Sequence, residues 1–220
     1  MSLNFWRQLD VFNPSDFKKE VHVVGCGAIG SHLVDTLIRS GISNIKVYDF
    51  DDVEDHNLPN QIFNLSHVGK KKVEAMKEIA AGLGVEIEIS DKKTTCLETS
   101  GQCYVFLAVD SMASRKEIWE NSIKYNPSVR FLESRMAAEY GIIHCINPID
   151  PDEVKYWEDQ WFSDDEAEES ACTNRAVCTT AKTMAAAQAH MLLTWETADK
   201  PAASTMVCLR PLSFITKAAR

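Results

Sequence analysis

Short β-branched runs alternate with stretches of helical period along this chain. Val21-His22-Val23-Val24 reads as a buried strand, and Asn44 to Tyr48 as a second one. Between them Ile29, Leu33 and Leu37, flanked by Val34 and Ile38, recur at helical spacing, with Gly41 as a natural stop. A helix beginning near Gly69 carries Val73, Met76, Ala80 and Leu83 along one face, and Val85 to Ile89 alternates as a strand with one wet face. The run Val105 to Val109 predicts a further buried strand, followed by a helix through Arg115 to Ser122 and a strand at Arg130-Phe131-Leu132. Ile142 to Ile146 is a β run stopping at Pro148, Thr180 to Trp195 an Ala- and Met-rich helix, and Thr205 to Leu209 a last strand before a basic tail. Strands alternating with helices predict an α/β fold, a Rossmann-like, doubly wound and mainly parallel sheet, finished by antiparallel strands after about residue 141.

Residues 1–19 read as an N-terminal segment packing on the domain or on a dimer partner, with Phe5 to Leu9 helical, Asn13-Pro14-Ser15 a turn, and Ser15 able to cap the turn that follows. Residues 20–220 then form a single domain. From Asp150 to Glu169 the composition turns strongly acidic with interleaved aromatics, which predicts a long surface loop over 150–178.

The break between the first strand and its helix is Gly25-Cys26-Gly27-Ala28-Ile29-Gly30. Strand, glycine turn and helix in that order make a phosphate-binding corner. Gly25 and Gly27 permit a tight turn and close approach to an anion, Gly30 permits helix–strand packing, and the amides at the helix start point at the anion. The second strand delivers Asp49 where an acid commonly takes the ribose hydroxyls of a nucleotide.

Charge narrows the field. A formal net charge of −9 argues against a nucleic-acid partner, because phosphate contacts dominate such binding. No apolar run reaches the roughly 18 residues that span a bilayer, and no leader pattern opens the chain, so a cytoplasmic protein without membrane attachment is expected. Seven cysteines without a CxxC pair read as reduced thiols, and no zinc is expected.

A hydride-transfer enzyme needs a nicotinamide pocket, whereas nucleotidyl transfer needs magnesium ligands and a cation near the phosphates. The stretch after Asp49 favours the second. Asp51, Asn57 and Gln61 crowd oxygen ligands and amides at a strand's carboxyl end, and Lys72 opens the next helix. Asp110 ends another strand, where it can hold a hydrated Mg²⁺. Lys72 sits in a lysine triplet that would equally serve as a solvated helix end, Asp110 could cap the helix after it, and Asn57 could make an Asx turn.

Together, the glycine motif, the Asp49-Phe50-Asp51-x-Val53-Glu54-x-x-Asn57-Leu58-x-x-Gln61 run, Gly69-x-x-Lys72 and Asp110-x-x-x-x-Arg115 resemble the ThiF/MoeB/HesA superfamily of ubiquitin-activating-enzyme-like adenylyltransferases. The likeness covers roughly residues 5–148. It implies ATP- and Mg²⁺-dependent adenylylation of the C-terminal carboxylate of a small ubiquitin-like or sulfur-carrier protein, or peptide, ending in glycine. By the same resemblance Gly25, Gly27, Ala28, Ile29 and Gly30 form the nucleotide turn, with Asp49 on the ribose, Asp51, Asn57 and Gln61 about the nucleotide, Lys72 neutralising charge at the α-phosphate, and Asp110 holding Mg²⁺. Arg7 resembles an arginine that reaches into the partner protomer's site, which implies a homodimer. Cys172-Thr173-x-Arg175 falls where relatives carry a cysteine-bearing crossover loop, and Cys172 is either a thioester-forming nucleophile or an ordinary loop cysteine. One departure stands out: Asn60 occupies the place where the family commonly has an arginine, with Arg115 or Arg135 available to compensate. Two other readings stay open, a catalytically silent partner subunit and an NAD-dependent dehydrogenase.

Overall fold

The computed structural model describes residues 3–162 and 177–218. Five parallel strands, with helices after the first, second and fourth but not the third, precede the antiparallel part of the sheet. In order they are β1 (Glu20–Val24), α1 (Ala28–Arg39), β2 (Ile45–Tyr48), α2 (Lys72–Gly82), β3 (Glu88–Ser90), β4 (Cys103–Leu107), α3 (Met112–Ile118) and β5 (Val129–Met136). There follow β6 (Tyr140–Ile146), α4 (Pro151–Glu158), α5 (Cys178–Thr197), β7 (Ser204–Leu209) and β8 (Leu212–Lys217). One eight-stranded sheet results, in the order β3-β2-β1-β4-β5-β6-β7-β8. Pairing is parallel from β3 to β5 and antiparallel from β6 onward.

Both faces of the central strands are covered, which is why β1 and β4 read as continuous apolar runs. On one face α1, α2 and α5 pack through Leu33, Leu37, Met76, Met184 and Ala185. On the other, Trp119 in the π-helical extension of α3 and Trp157 of α4 bury against Phe131 and Val105. Strand order reverses between β1 and β4, so their carboxyl ends open a crevice.

Several boundaries differ from the sequence reading. Residues 5–12 form turns rather than a helix, closed by bonds such as Gln8 N–H to the Phe5 carbonyl (3.0 Å), and Ser15 lies inside the single turn Pro14–Asp16, which Asn13 caps, rather than capping a turn after it. The β3 ladder uses Glu88–Ser90, and the β4 ladder starts two residues early because Cys103 and Tyr104 are as buried as the valine after them. The acidic stretch is not wholly a loop. Asp150 accepts from the Asp152 and Glu153 amides, Pro151 takes the first helical position, and acids suit the first turn, so 151–158 is a capped helix that buries Val154 and Trp157. The basic tail is also a strand: β8 pairs with β7 from Ser204↔Lys217 to Leu209↔Leu212. As an edge strand exposed nearly throughout, it shows no burial alternation to read.

Trp157 carries this correction, since it is fully buried and its ring meets Trp119, Phe131 and His144. Trp157→Ala should destabilise the fold by about 3–5 kcal/mol in urea unfolding. A change below about 1 kcal/mol would mean that α4 does not pack on the sheet.

Candidate active site

A cavity of about 660 Å³ lies at the carboxyl ends of β1, β2, β4 and β5 and continues past the start of β6 to β7. The glycine turn forms one wall. Gly25 has φ +96°, a left-handed conformation that L side chains rarely adopt. A Cβ on Gly30 would lie 1.9 Å from the Gly25 carbonyl oxygen, so α1 packs against the turn only because that atom is missing. Gly27 differs from both. A Cβ there would meet nothing within 4 Å, and Gly27, Ala28 and Ile29 line the cavity where no side chain caps α1. The room and the first-turn amides match what a phosphate needs.

Asp49 fastens this turn to β2. One carboxylate oxygen accepts from the Cys26 amide at 2.6 Å, the other from the Asp51 amide at 2.9 Å. Burial raises the Asp49 pKa, with Lys72 and those amides pulling the other way. Asp51 in turn receives the Lys72 ammonium at 2.7 Å, while the Lys72 amide donates to the Asp51 carbonyl at 3.0 Å. Burial works against the charge on Lys72, yet Asp49 and Asp51 outweigh it and hold its pKa above the ordinary lysine range. A charged lysine is therefore presented at the cavity wall from the start of α2.

Asp110 follows β4 and lies exposed on the same wall. Ser111, not Asp110, caps α3, by accepting from the Ser114 amide at 3.0 Å. The backbone beneath Asp110 is fixed from the next strand: the buried Arg115 donates to the Asp110 and Ser134 carbonyls, each at 3.2 Å, and pairs with the fully buried Glu133 at 2.7 Å.

The structure thus gathers Gly25, Gly27, Ala28, Ile29, Asp49, Asp51, Gln61, Lys72 and Asp110 around one cavity. Gly30 serves packing behind it. Asn57 does not reach the wall; its side-chain Oδ1 accepts from the Glu54 amide at 3.0 Å within its own turn. Asn60 is also off the wall, its side-chain oxygen buried without a partner. Arg7 is exposed, over the ring of Trp6, and belongs to no part of this cavity. Cys172 and Arg175 lie outside the described residues. Sequence reasoning missed Tyr48, Lys92 and Lys93 on one side of the cavity and Ile142 and Met206 on the other. Only Tyr48, directly before Asp49, was near any signal. Among the described residues no group of three or more His, Cys, Asp or Glu comes together as a metal site. A single carboxylate beside a phosphate corner is nevertheless the donor set that Mg²⁺ uses when substrate phosphates complete its coordination. Among the described residues no helix is long and apolar enough to cross a membrane.

The ThiF family model matches residues 15–219. The chain belongs to the ThiF family. It is 26% identical over 160 residues to SUMO-activating enzyme subunit 2 of Dictyostelium discoideum, covering 66% of this chain and 24% of that protein. It is 32% identical over 112 residues to tRNA threonylcarbamoyladenosine dehydratase of Bacillus subtilis (strain 168), covering 47% of this chain and 44% of that one. The chain therefore spans from a quarter to less than half of these relatives. The crystal structures of PaaA and of E. coli MccB with ATP both superpose with a TM-score of 0.66 over 92% of this chain and 64% of theirs, at 18% and 14% identity. At that identity the likeness is one of fold.

Gly30→Ala should destabilise the fold by about 3 kcal/mol in urea unfolding, whereas Gly27→Ala should unfold near wild type yet weaken nucleotide binding at least about tenfold by calorimetry. Equal effects of the two would remove the distinction between packing and cradle. A pH dependence follows from His144, which is buried beside Glu133, Arg135 and Arg115. Burial pushes its pKa down to about 4, with Glu133 opposing and the two arginines assisting. The unfolded chain binds the proton first, so stability should fall as pH drops from about 6.5 to about 4, by about 3 kcal/mol. His144→Gln should flatten that limb of the denaturation profile.

Proposed function

We propose that this protein adenylylates the C-terminal carboxylate of a small ubiquitin-like or sulfur-carrier protein, or of a peptide, using ATP. What supports the reading is the convergence on one cavity of an open glycine turn, a lysine held charged by Asp51, and the carboxylate of Asp110. Its family adds weight, since relatives include ubiquitin-like modifier-activating enzyme 5 of Caenorhabditis elegans, and MccB has been crystallised with ATP and with MccA.

In this reading the Gly27, Ala28 and Ile29 amides hold phosphate oxygens, and Asp49 keeps the turn in place beside the ribose. The incoming carboxylate oxygen bonds to the α-phosphorus as the bond from that phosphorus to its bridging oxygen breaks, and pyrophosphate departs with the electron pair. Lys72 meets the negative charge that builds on the phosphoryl oxygens, an interaction worth more in the transition state than before it. Asp110 would hold Mg²⁺, which supplies charge neutralisation to the phosphates when bound. Gln61 brings a buried, unpartnered carbonyl oxygen to the wall and can accept from a ligand donor. Lys92 and Lys93 add positive charge at the wall, which Asn60 does not reach. Arg7 would act in a partner protomer's site within a homodimer. The exposed Trp6, Leu9 and Val11 alongside it supply apolar surface for such an interface.

A dehydrogenase would use the same glycine turn but would have no use for a charged lysine and a free acid at the phosphates. The silent-subunit reading draws on Asn60 alone. Carboxylate-dependent exchange of labelled pyrophosphate into ATP tests the proposal. Lys72→Ala and Asp110→Ala should each lower exchange roughly 100-fold without changing thermal stability by more than a few degrees. Exchange that survives both substitutions, or none with any C-terminal carboxylate, would overturn it.

A further inference from the structure

The cavity is chemically divided. On the β2 side its wall carries Asp49, Asp51, Lys72, Lys92 and Lys93. Past Arg135 it includes Met136, Ala137, Ile142, Phe162 and Met206, with no charged side chain among the described residues there. Arg135 itself is engaged within the protein, through Nε to Glu133 and through Nη1 to the Gln160 carbonyl. Phosphates and a ribose gain nothing from an apolar wall, because they lose hydration against it without replacing their hydrogen bonds. The polar side suits the nucleotide, and the apolar side is left for the second substrate.

The sheet sets how far that side reaches. Ile142 is paired in register with Met206, and Met206 with Ile215, so the three side chains stand in one row across β6, β7 and β8. Ile142 and Met206 line the cavity. The row is open to a ligand, since Met206 is 39% and Ile215 51% exposed. Among the described residues β8 is the edge of the sheet, so the row leads from the cavity to that edge. Contiguous exposed apolar surface of this kind marks a binding site, and methionine adapts its shape to what it meets. Strands lie about 4.8 Å apart, which puts β6 and β7 roughly 10 and 14 Å from β4, the strand that leads into Asp110. An extended chain advances about 3.4 Å per residue. A substrate whose terminal carboxylate reacts beside Asp110 therefore lays its third or fourth residue from the end over Ile142 and Met206.

We propose that Ile142 and Met206 are specificity residues of the acyl site. They take an apolar side chain on the third or fourth residue from the substrate's C-terminus. This rests on the adenylylation reading for the placement of the reacting carboxylate, but it is measurable by binding alone.

Fluorescein-labelled heptapeptides of serine ending in Gly-Gly make the test, with a pair of leucines at the third and fourth positions from the end, at the sixth and seventh, or at neither. They are titrated by anisotropy in the presence of a non-hydrolysable ATP analogue. The wild type should bind the first peptide at least about tenfold tighter than the other two. Met206→Ser and Ile142→Ala should each reduce that preference to about threefold or less, whereas Met206→Leu, which keeps the apolar surface, should retain it. The two weakening substitutions lie on different strands, so a folding defect in one leaves the other to decide. Equal binding of the three peptides by the wild type would overturn the proposal. So would a preference undiminished in both weakened variants, or one satisfied equally by leucines at the sixth and seventh positions. A change in the sedimentation mass of the protein alone on Met206→Ser would overturn it too, by making the row an interface between copies of this chain. Preference without pyrophosphate exchange would uphold the subsite and count against adenylylation. Exchange without preference would count against the subsite alone.

Discussion

Everything at the cavity depends on two carboxylates at the exit of β2. Asp49 is bound by the backbone amides of Cys26 and Asp51, which clips the glycine turn after β1 to the loop after β2. Asp51 then takes the Lys72 ammonium and, through its carbonyl, the Lys72 amide. A turn, a loop and the first residue of a helix thereby become one rigid unit. The same acids solve an electrostatic problem: burial alone would lower the Lys72 pKa, and Asp49 and Asp51 raise it instead. Burial in turn makes that charge effective, because water does not screen it.

The second half of the cavity rests on a different arrangement, in which one buried acid serves two arginines. Glu133 sits on a central strand with no exposure, a position that is tolerable only because both guanidinium groups reach it. Arg115 uses its remaining donors to hold the backbone under Asp110. The presentation of Asp110 in the cavity is thus governed from β5, one strand away. The Trp157 ring of α4 lies against the other arginine, so this helix helps shape a cavity that none of its residues line.

Much of this was legible in advance where chemistry and chain order coincide. The glycine turn, the strand that brings in Asp49, and Lys72 at a helix start are local statements, each within a few residues, and their order alone implied a doubly wound sheet. Legibility failed where a residue's partner is distant in sequence. Asn57 looked like a ligand and is spent on its own turn, because a side chain that can satisfy a backbone amide three residues away does so first. The acidic stretch concealed a helix, since composition outweighed a cap formed by Asp150 and Pro151. Arg135 is legible in sequence only as a cation that could stand in for the one Asn60 lacks; the fold commits its Nε to Glu133 and its Nη1 to the Gln160 carbonyl, with the Trp157 and Phe162 rings around it.

By itself the sequence determined the fold class, the order of elements and the corner at which a phosphate can sit, because these follow from hydrophobic period, glycine stereochemistry and charge at helix and strand ends. Tertiary structure alone decided which charges remain free to meet a ligand. That question turns on how each donor and acceptor is shared among groups that chain order keeps apart, such as Glu133 between Arg115 and Arg135. No local pattern carries that information, because burial and hydrogen-bond satisfaction are properties of the assembled sheet.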